Sequence, residues 1–340
     1  MQTETSPRHV PNRRTSRHGR LIGLLALLGV YAVAPQAVAQ SDYPTRPVKL
    51  IVAVAAGGGT DVVARALAKR LAEQMNRPFI VENHPGGNSI IGSDIVAKSP
   101  PDGYTLFVAT AALGLQPAFE KKLPYDPLKS FAPVAPLGEV PLVLIASTQQ
   151  PAKTIEEFLA NVKAKPGTVS FGWSDQSTYM AFEMLRLKTK TEINNIPYKG
   201  TGPLITDITG GHLDAGLVSP GTAVQLVNSG KILALAVTGS NRSSMYPDTK
   251  TINESIVPGY EATVWYGLLA PAGTPMSVRQ KLNEQVGRAL ADEEMKKVFK
   301  NLGAEPLNMS VKEYEAFYAD YIAKYLGVVN MEGMRMPRPE

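Results

Sequence analysis

The sequence of 340 residues contains no cysteine and only four histidines. The absence of cysteine excludes disulfide bonds, catalysis by a thiol and a lipid anchor on an N-terminal cysteine. His84 and His212 are the two histidines that follow residue 39, and they lie far apart in the chain. Because they lack the spacing of metal ligands, we expect no histidine-based zinc site, and the sequence predicts no metal and no other cofactor.

A strong excess of charge is also missing once the first 39 residues are set aside. The chain carries 35 Lys and Arg against 30 Asp and Glu, but five of the Arg and one Glu lie within residues 1–39. The remaining 30 basic and 29 acidic residues nearly cancel. A nearly neutral chain has no electrostatic reason to bind nucleic acid or an anionic membrane surface, so neither is predicted as a partner.

The most apolar run is too short to span a membrane. Leu21–Ala34 has 14 residues. As a helix it would reach about 21 Å, against a hydrocarbon core of about 30 Å. It follows five Arg and precedes Ala37-Val38-Ala39, a small-residue cleavage pattern. Residues 1–39 are therefore predicted to be a signal peptide that is cleaved after Ala39, which places the mature chain in the periplasm. The Arg13-Arg14 pair leaves open whether export uses the general secretory or the twin-arginine route.

The most informative segment is Val48–Arg70. Val48–Val54 is short, apolar and rich in β-branched residues, as in a buried parallel strand. Gly57–Gly59 follows as a turn, and Thr60 is predicted to cap the helix that comes next. A strand that runs through glycine into a helix leaves N–H groups unpaired at the turn, which makes a natural anion site. The spacing fits neither the dinucleotide fingerprint nor a phosphate-binding P-loop.

Signals for strands and helices alternate through the rest of the chain, which indicates an α/β fold. About 300 residues follow the leader, more than one ordinary core holds. We therefore predict two lobes, each with a parallel-type sheet flanked by helices, and a ligand cleft between them. Leu123–Pro136, which is rich in proline and aromatic residues, is predicted to be an ordered loop. The predicted division is a signal peptide over 1–39, a first domain over 41–143 and 263–332, a second domain over 144–262 and a flexible tail over 333–340.

Eight short blocks follow one another along the chain after the leader. They are Ala56–Asp61, Glu82–Gly87, Pro101–Leu106, Leu123–Pro127, Pro197–Gly200, Ala236–Thr238, Trp265–Leu269 and Pro271–Pro275. In order and spacing they resemble the periplasmic substrate-binding proteins of tripartite tricarboxylate transporters, the Bug family. The resemblance covers essentially the whole chain after the leader.

The resemblance implies a two-lobed receptor, like other periplasmic binding proteins, that closes about a hinge and has no catalytic activity. It implies capture of a small organic carboxylate and its delivery to inner-membrane permease subunits of a tripartite tricarboxylate transporter. It also implies that backbone amides and ordered water hold one ligand carboxylate between the lobes, which agrees with the anion site inferred at the glycine turn. We further expect the receptor to be a monomer.

Two features depart from the family pattern. The loop after the second-lobe strand is usually small and rich in Gly, Ser or Asn, but here it contains the large Trp173 and the acidic Asp175. Trp173 favours an aromatic mono- or dicarboxylate over a simple aliphatic dicarboxylate, because its ring can stack on the ligand. Ser219 stands where family members often carry Asp, which argues against a ligand ammonium group there.

The candidate ligand-binding residues all follow a predicted strand or open a predicted helix. They are Ala55, Ala56, Gly57, Gly58, Thr60, Thr110, Ala111, Trp173, Ser174, Gln176, Ser177, Thr178 and Ser219. No catalytic residue is predicted, because the chain lacks a G-x-S-x-G nucleophile elbow.

Two other functions stay open at this point. One is an exported α/β hydrolase-type enzyme, which would need a nucleophile beside a base. The other is a sensor subunit that presents its ligand to a membrane receptor. Turnover of a bound ligand would identify the enzyme, and the membrane partner would identify the sensor.

Overall fold

The computed structural model describes residues 43–120 and 122–335, together with the isolated residue 3. Apart from that residue, the predicted signal peptide and its cleavage site lie outside the described residues, as do residues 336–340 of the predicted tail. None of the described helices combines the length and the apolar character that crossing a bilayer requires.

The described residues contain two sheets. Their strands are β1 (Val48–Val52), β2 (Phe79–Asn83), β3 (Thr105–Thr110), β4 (Phe131–Pro141), β5 (Val143–Ser147), β6 (Ser170–Trp173), β7 (Asn194–Pro197), β8 (Ala215–Val218), β9 (Ile232–Val237), β10 (Thr263–Pro271) and β11 (Glu305–Pro306). The first sheet has the order β11-β4-β10-β3-β1-β2 and the second the order β7-β6-β8-β5-β9. The chain therefore passes between the sheets after β4 and again before β10. This supports the predicted domain boundaries, which remain a prediction.

Helices connect most of these strands. Those in the described part of the chain are α1 (Gly59–Met75), α2 (Ile90–Ala97), α3 (Ala112–Phe119), α4 (Ile155–Ala164), α5 (Gln176–Thr189), α6 (Thr201–Gly210), α7 (Pro220–Asn228), α8 (Ile252–Ser255), α9 (Met276–Leu290), α10 (Glu293–Leu302) and α11 (Val311–Val329). The first lobe is built on the first sheet and the second lobe on the second sheet. The predicted two-lobed α/β class is confirmed.

The sequence predicts parallel-type sheets, but both sheets are mixed. In the first, β1 is parallel to β2 and β3, whereas β10 is antiparallel to β3 and β4. In the second, β6 is parallel to β7 and β8, whereas β5 is antiparallel to β8 and β9. The route of the chain explains this arrangement. β5 and β10 each arrive from the other lobe. Each therefore enters its sheet at the end where the parallel strands have their C-termini, and it runs antiparallel to them.

The prediction of a loop over Leu123–Pro136 is wrong from residue 131 onward, where the 11-residue strand β4 begins. Proline disfavours a strand because it has no N–H group for the ladder. The pairing of β4 with β10 shifts register at Pro136 and again at Pro133. The residues without a partner on β10 are Leu137 and Val134, so the ladder is interrupted next to Pro136 and Pro133, where a strand tolerates proline.

The prediction of Thr60 as a helix cap is also wrong. α1 begins at Gly59, and its N-cap is Gly58 in an extended conformation with φ −77° and ψ 166°. Thr60 lies in the first helical turn and is buried. The helix starts earlier because Asp61 Oδ2 accepts a hydrogen bond from the Gly57 N–H at 2.9 Å, which fixes the turn that precedes the helix.

Trp265 on β10 is central to an apolar core that both lobes share. Its side chain is fully buried, and the rings of Tyr314, Tyr318 and Tyr321 on α11 meet it edge-on at centroid distances of 6.4, 5.7 and 5.6 Å. The same cluster of buried residues continues to Phe171 on β6 of the second lobe. The two lobes therefore share one continuous apolar core, which runs from Trp265 to Phe171.

Thr238 joins the two segments by which the chain crosses between the lobes. Its N–H donates to the Leu142 carbonyl oxygen at 2.9 Å, and its hydroxyl accepts from the Leu142 N–H at 2.8 Å. The same hydroxyl donates to the Ala262 carbonyl oxygen at 2.5 Å, while the Ala262 N–H donates to the Thr238 carbonyl oxygen at 2.9 Å. One buried side chain thus holds together the residues about which the lobes could turn.

The described part of the predicted tail, residues 333–335, contacts α5 of the second lobe. The Gly333 carbonyl oxygen accepts a hydrogen bond from the Arg186 guanidinium at 2.5 Å. The Arg335 carbonyl oxygen accepts one from the Tyr179 hydroxyl. These contacts tie the end of the chain, which follows the first-lobe helix α11, to the second lobe.

A buried ion pair on α5 underlies these tail contacts. Arg186 and Glu183 are joined at 2.7 Å, and their side chains are 8% and 0% exposed. The Arg335 N–H also donates to Glu183 Oε2 at 3.3 Å. Removing one partner of a buried pair is far more damaging than removing one partner of an exposed pair, because the other charge stays buried.

Replacing Arg186 by Met is therefore expected to lower the free energy of unfolding by about 3–5 kcal/mol, because Glu183 would be left as an unpaired buried charge. Arg242 gives a matched control, since it pairs with Glu254 at the surface with side chains 43% and 40% exposed. Arg242→Met should cost at most about 1 kcal/mol. Urea unfolding at neutral pH measures both losses, and equal losses would contradict the structural role given to Arg186.

Candidate functional site

A cleft of about 950 Å³ lies between the two sheets. Residues at the ends of β1 and β3 line it from the first lobe, and residues at the ends of β6, β7 and β8 line it from the second. The C-terminal ends of parallel strands are where ligands bind in open α/β sheets. The cleft is therefore the candidate ligand site.

Some of the predicted site residues line this cleft and others do not. Those that line it are Thr60, Thr110, Trp173, Ser174, Gln176, Ser177 and Ser219. Those outside its lining are Ala55, Ala56, Gly57, Gly58, Ala111 and Thr178. Residues 55–58 are exposed, whereas Ala111 and Thr178 are buried behind the cleft wall. Contact of any of these residues with a ligand remains a prediction.

The sequence-based prediction omits further residues that line the cleft. They are Asn88, Ser89, Phe119, Glu120, Asn195, Lys199 and Tyr266, among others. Asn88 and Ser89 have positive φ angles of 51° and 73°, and the preceding Pro85-Gly86-Gly87 was a signal of an irregular turn. Phe119 and Asn195 carry no comparable local signal, because only the packing of the two lobes brings them to the cleft.

The glycine turn is less open to a ligand than the sequence predicts. Asp61 is 3% exposed, and its carboxylate accepts hydrogen bonds from the Gly57 N–H, Arg65 Nε and Asn83 Nδ2, each at 2.9 Å. The hydrogen bond from Arg65 is the main reason why the pKa of Asp61 is lowered to about 2. The Gly57 amide therefore already has an anionic partner within the protein. The backbone comes close to the cleft at Gly59, two residues after Gly57. A Cβ added there would lie 3.0 Å from the hydroxyl of Tyr266, which lines the cleft.

Six helices of the described chain begin at the cleft. α1, α2 and α3 begin beside the lining residues of the first lobe, and α5, α6 and α7 beside those of the second. Each helix start carries N–H groups without partners in the helix and the positive end of the helix dipole, equivalent to roughly half a charge. Both lobes thus direct positive potential into the same space.

Five of these six helices have no side-chain cap among the residues the structure describes. Their N-cap residues are Gly58, Ser89, Ala111, Gly200 and Ser219. The contrast with the other helices is clear, because α4, α8, α10 and α11 are capped by the side chains of Thr154, Thr251, Asp292 and Ser310. α9 begins after Pro275 without a side-chain cap. Most helix starts away from the cleft have a side-chain cap, whereas most of those at the cleft have none.

α5 is the exception at the cleft. Its N-cap Asp175 accepts hydrogen bonds at Oδ1 from the N–H groups of Ser177 at 2.8 Å and Thr178 at 3.0 Å. The Thr178 hydroxyl in turn accepts from the Asp175 N–H at 3.1 Å, which completes a capping box. Although Asp175 is open to the cleft on one side, the protein around it raises the pKa of its carboxyl, mainly through desolvation.

An aromatic wall stands beside Asp175. The rings of Trp173 and Tyr179 lie 4.7 Å apart, and Phe119 meets Tyr179 edge-on at 6.1 Å. The Trp173 indole N–H donates to Asn195 Oδ1 at 3.3 Å. Because Phe119 belongs to the first lobe and the other two rings to the second, this wall also joins the lobes at the cleft.

Hydrogen bonds behind the first-lobe wall hold the Asn88 turn in place. The buried Tyr125 hydroxyl donates to Gln116 Oε1 at 2.6 Å, and Gln116 Nε2 donates to the Asn88 carbonyl oxygen at 2.9 Å. Asn88 Nδ2 then donates to Glu120 Oε1 at 3.1 Å, so the lining carboxylate of Glu120 has a partner within its own lobe. Within the described residues no three His, Asp or Glu side chains group closely enough to hold a metal ion.

Comparison with known proteins gives matches along nearly the whole described chain. The family model "Tripartite tricarboxylate transporter family receptor" matches residues 63–334. BugT of Bordetella pertussis is 33% identical over 320 residues, which are 92% of this chain and 98% of BugT. MatC of Rhodopseudomonas palustris, solved with bound malate, is 31% identical with a TM-score of 0.71, over 85% of this chain and 100% of that one. A second R. palustris protein, solved with adipate, is 30% identical with a TM-score of 0.73, over 84% and 97%.

These matches confirm the resemblance to the Bug family and the periplasmic-binding-protein-like fold that it implies. The similarity extends through both lobes, since the family match begins in α1 and ends beyond α11. The chain belongs to the tripartite tricarboxylate transporter family of receptors, the Bug-type solute-binding proteins.

Proposed function

We propose that this receptor captures a small organic carboxylate in the periplasm and presents it to inner-membrane permease subunits of a tripartite tricarboxylate-type transporter. The observation that carries the proposal is the group of five uncapped helix starts around the cleft. A hydrogen bond from such an N–H group to a carboxylate contributes about 1.5–3 kcal/mol. A few of them, with burial of the ligand body, supply the roughly −8 kcal/mol that micromolar binding needs after ordering costs.

The ligands of two relatives support the same chemistry. MatC was solved with malate and the second R. palustris protein with adipate, and both ligands are carboxylates. In the present chain, the first-lobe side of the cleft is the part best suited to a carboxylate, because α1, α2 and α3 all begin there without side-chain caps. We place the first ligand carboxylate there.

A small space behind the cleft supports a role for bound water. It measures about 10 Å³ and is lined in part by Thr60, Ser89, Ser93 and Thr110. A space of roughly 10–15 Å³ with two or more polar neighbours holds one water molecule. Since Thr60, Ser89 and Thr110 also line the cleft, such a water would stand between the first lobe and the ligand carboxylate.

The proposed action is binding without chemical change. No histidine is present among the described residues that line the cleft, so the hydroxyls of Ser174, Ser177 and Ser219 have no imidazole base there. The carboxylate of Glu120 is held by Asn88, and that of Asp175 by the start of α5. This favours a receptor over an exported hydrolase. Co-purification of permease subunits, and not of a signalling receptor, would exclude the sensor alternative.

Capture is proposed to include closure of the two lobes. A cleft of about 950 Å³ lies at the upper end of the range of roughly 300–1,000 Å³ for small-molecule pockets. A ligand the size of malate would leave most of it filled with water unless the lobes approach each other. The segments joined by Thr238 are the natural axis of that motion. Export through the predicted leader, cleavage after Ala39 and action as a monomer complete the proposal.

A thermal-shift panel of aromatic and aliphatic mono- and dicarboxylates should identify at least one ligand of the mature chain. At about 100 times its Kd a ligand stabilises the folded state by about 2.7 kcal/mol, which raises the melting temperature by several degrees. The uncharged amides of the same acids are the matched controls and should give no shift. If no acid raises the melting temperature, the carboxylate proposal is wrong.

Replacing Trp173 by Leu should weaken aromatic ligands and spare aliphatic ones. Stacking beyond simple burial is worth about 0.5–1.5 kcal/mol, so benzoate-type ligands should lose roughly two- to tenfold in affinity. Trp173→Phe keeps a ring in the wall and should retain most of the affinity. Titration calorimetry with one aromatic and one aliphatic acid of equal charge measures the difference, and equal losses for both would argue against an aromatic wall.

A further inference from the structure

Asp175 gives the start of α5 a different character from the other helix starts at the cleft, including those of α6 and α7 on the same lobe. It is the one side-chain cap among the six described helix starts at the cleft. Its Oδ1 already accepts the N–H groups of Ser177 and Thr178. The donors that α5 would otherwise offer to a ligand anion are therefore used by the protein's own carboxylate.

The second oxygen of Asp175 is free to act as an acceptor. Within the described residues, Oδ2 has one hydrogen-bond contact, with the Ser174 hydroxyl at the long distance of 3.4 Å. Asp175 lines the cleft beside Trp173, Gln176 and Ser177. A ligand group that donates a hydrogen bond would gain an acceptor oxygen here, whereas a ligand carboxylate would meet a second carboxyl group and no open amide of α5.

The other charges of the cleft do not reverse this preference. Glu120 adds a second carboxylate, on the first lobe, and Asn88 Nδ2 donates to it at 3.1 Å. Lys199 is the one cationic residue in the described lining, and it lies on the exposed loop between β7 and α6. An exposed lysine is a flexible, solvated point charge. It would therefore stabilise a carboxylate at the far end of the ligand less than fixed helix amides would.

We propose that Asp175 is a specificity-determining residue that disfavours a ligand carboxylate beside the start of α5 and selects a hydrogen-bond donor, such as a hydroxyl or amino group, at the end of the ligand that lies there. The inference rests on the proposed function, because it assumes that the first carboxylate binds at the open helix starts of the first lobe. It sets this receptor apart from relatives solved with the dicarboxylates malate and adipate.

The test compares pairs of ligands that differ only at the far end. The pairs are 4-hydroxybenzoate with terephthalate and 6-hydroxyhexanoate with adipate, titrated by calorimetry into the mature wild-type chain and into Asp175→Asn. The wild type should bind the monoacid of at least one pair about tenfold or more tightly than its diacid. Asp175→Asn should reduce that ratio to within about threefold, because Asn caps a helix as well as Asp does but carries no charge.

Three further variants separate this effect from general ones. Asp175→Ser keeps a good N-cap with a different side chain and should relax the selection in the same way. Asp292→Asn makes the same exchange at the N-cap of α10, which is away from the cleft, and should leave the ratio unchanged. Glu120→Gln removes a carboxylate from the first-lobe side of the cleft and should also leave most of the ratio in place.

Several results would overturn the inference. One is a wild-type receptor that binds the diacid of both pairs as tightly as the monoacid, whether or not Lys199→Met weakens that diacid binding. Another is a loss of selection in Glu120→Gln that equals the loss in Asp175→Asn, since net charge and not position would then decide. If none of the four acids, nor any other carboxylate, binds to the wild type, the proposed function fails as well. Binding of carboxylates without the Asp175 effect removes this inference alone.

Discussion

The direction in which the strands run is the constraint on which the site depends. The parallel strands of both sheets end at the edges that face each other, so the helices that follow them start there. Helix starts bring unpaired N–H groups and positive dipole ends, and the cleft collects those of six helices in the described chain. Five of these starts have no side-chain cap, although the Asp61 carboxylate in the first turn of α1 already accepts from the Gly57 amide. The strand directions therefore place several helix N-termini, which favour anions, at the cleft.

Local sequence predicted the fold well wherever a segment's neighbours did not matter. The short apolar run Val48–Val54 forms strand β1 over Val48–Val52, close to the bounds that the pattern indicates. β4 shows the opposite case, because its prolines suit a loop, whereas the strand forms by pairing with β10, more than a hundred residues later. The antiparallel direction of β5 and β10 also depends on the path between the lobes, which local periodicity does not contain.

The site was predicted unevenly for the same reason. The loop Trp173–Ser177 reaches the cleft as the sequence indicates, since it directly follows a strand and opens a helix. Ala55–Gly58 has the same local pattern but lies outside the lining, because the Asp61 carboxylate takes the Gly57 amide. That carboxylate is positioned by Asn83 from β2, a contact that arises only once β1 and β2 pair. Local chemistry predicts a helix start, and tertiary contacts decide whether it is open.

The end of the chain contacts the second-lobe part of the aromatic wall. Tyr179 packs against Trp173 and donates its hydroxyl proton to the Arg335 carbonyl oxygen, and the backbone of the same segment contacts the buried pair Glu183–Arg186. Such support fixes the rings before a ligand arrives, so binding loses little side-chain entropy at this wall. The segment follows α11, whose aromatic residues surround Trp265 in the core that both lobes share. A ligand that closes the lobes would therefore move the helix starts of the first lobe toward rings that the end of the chain already contacts.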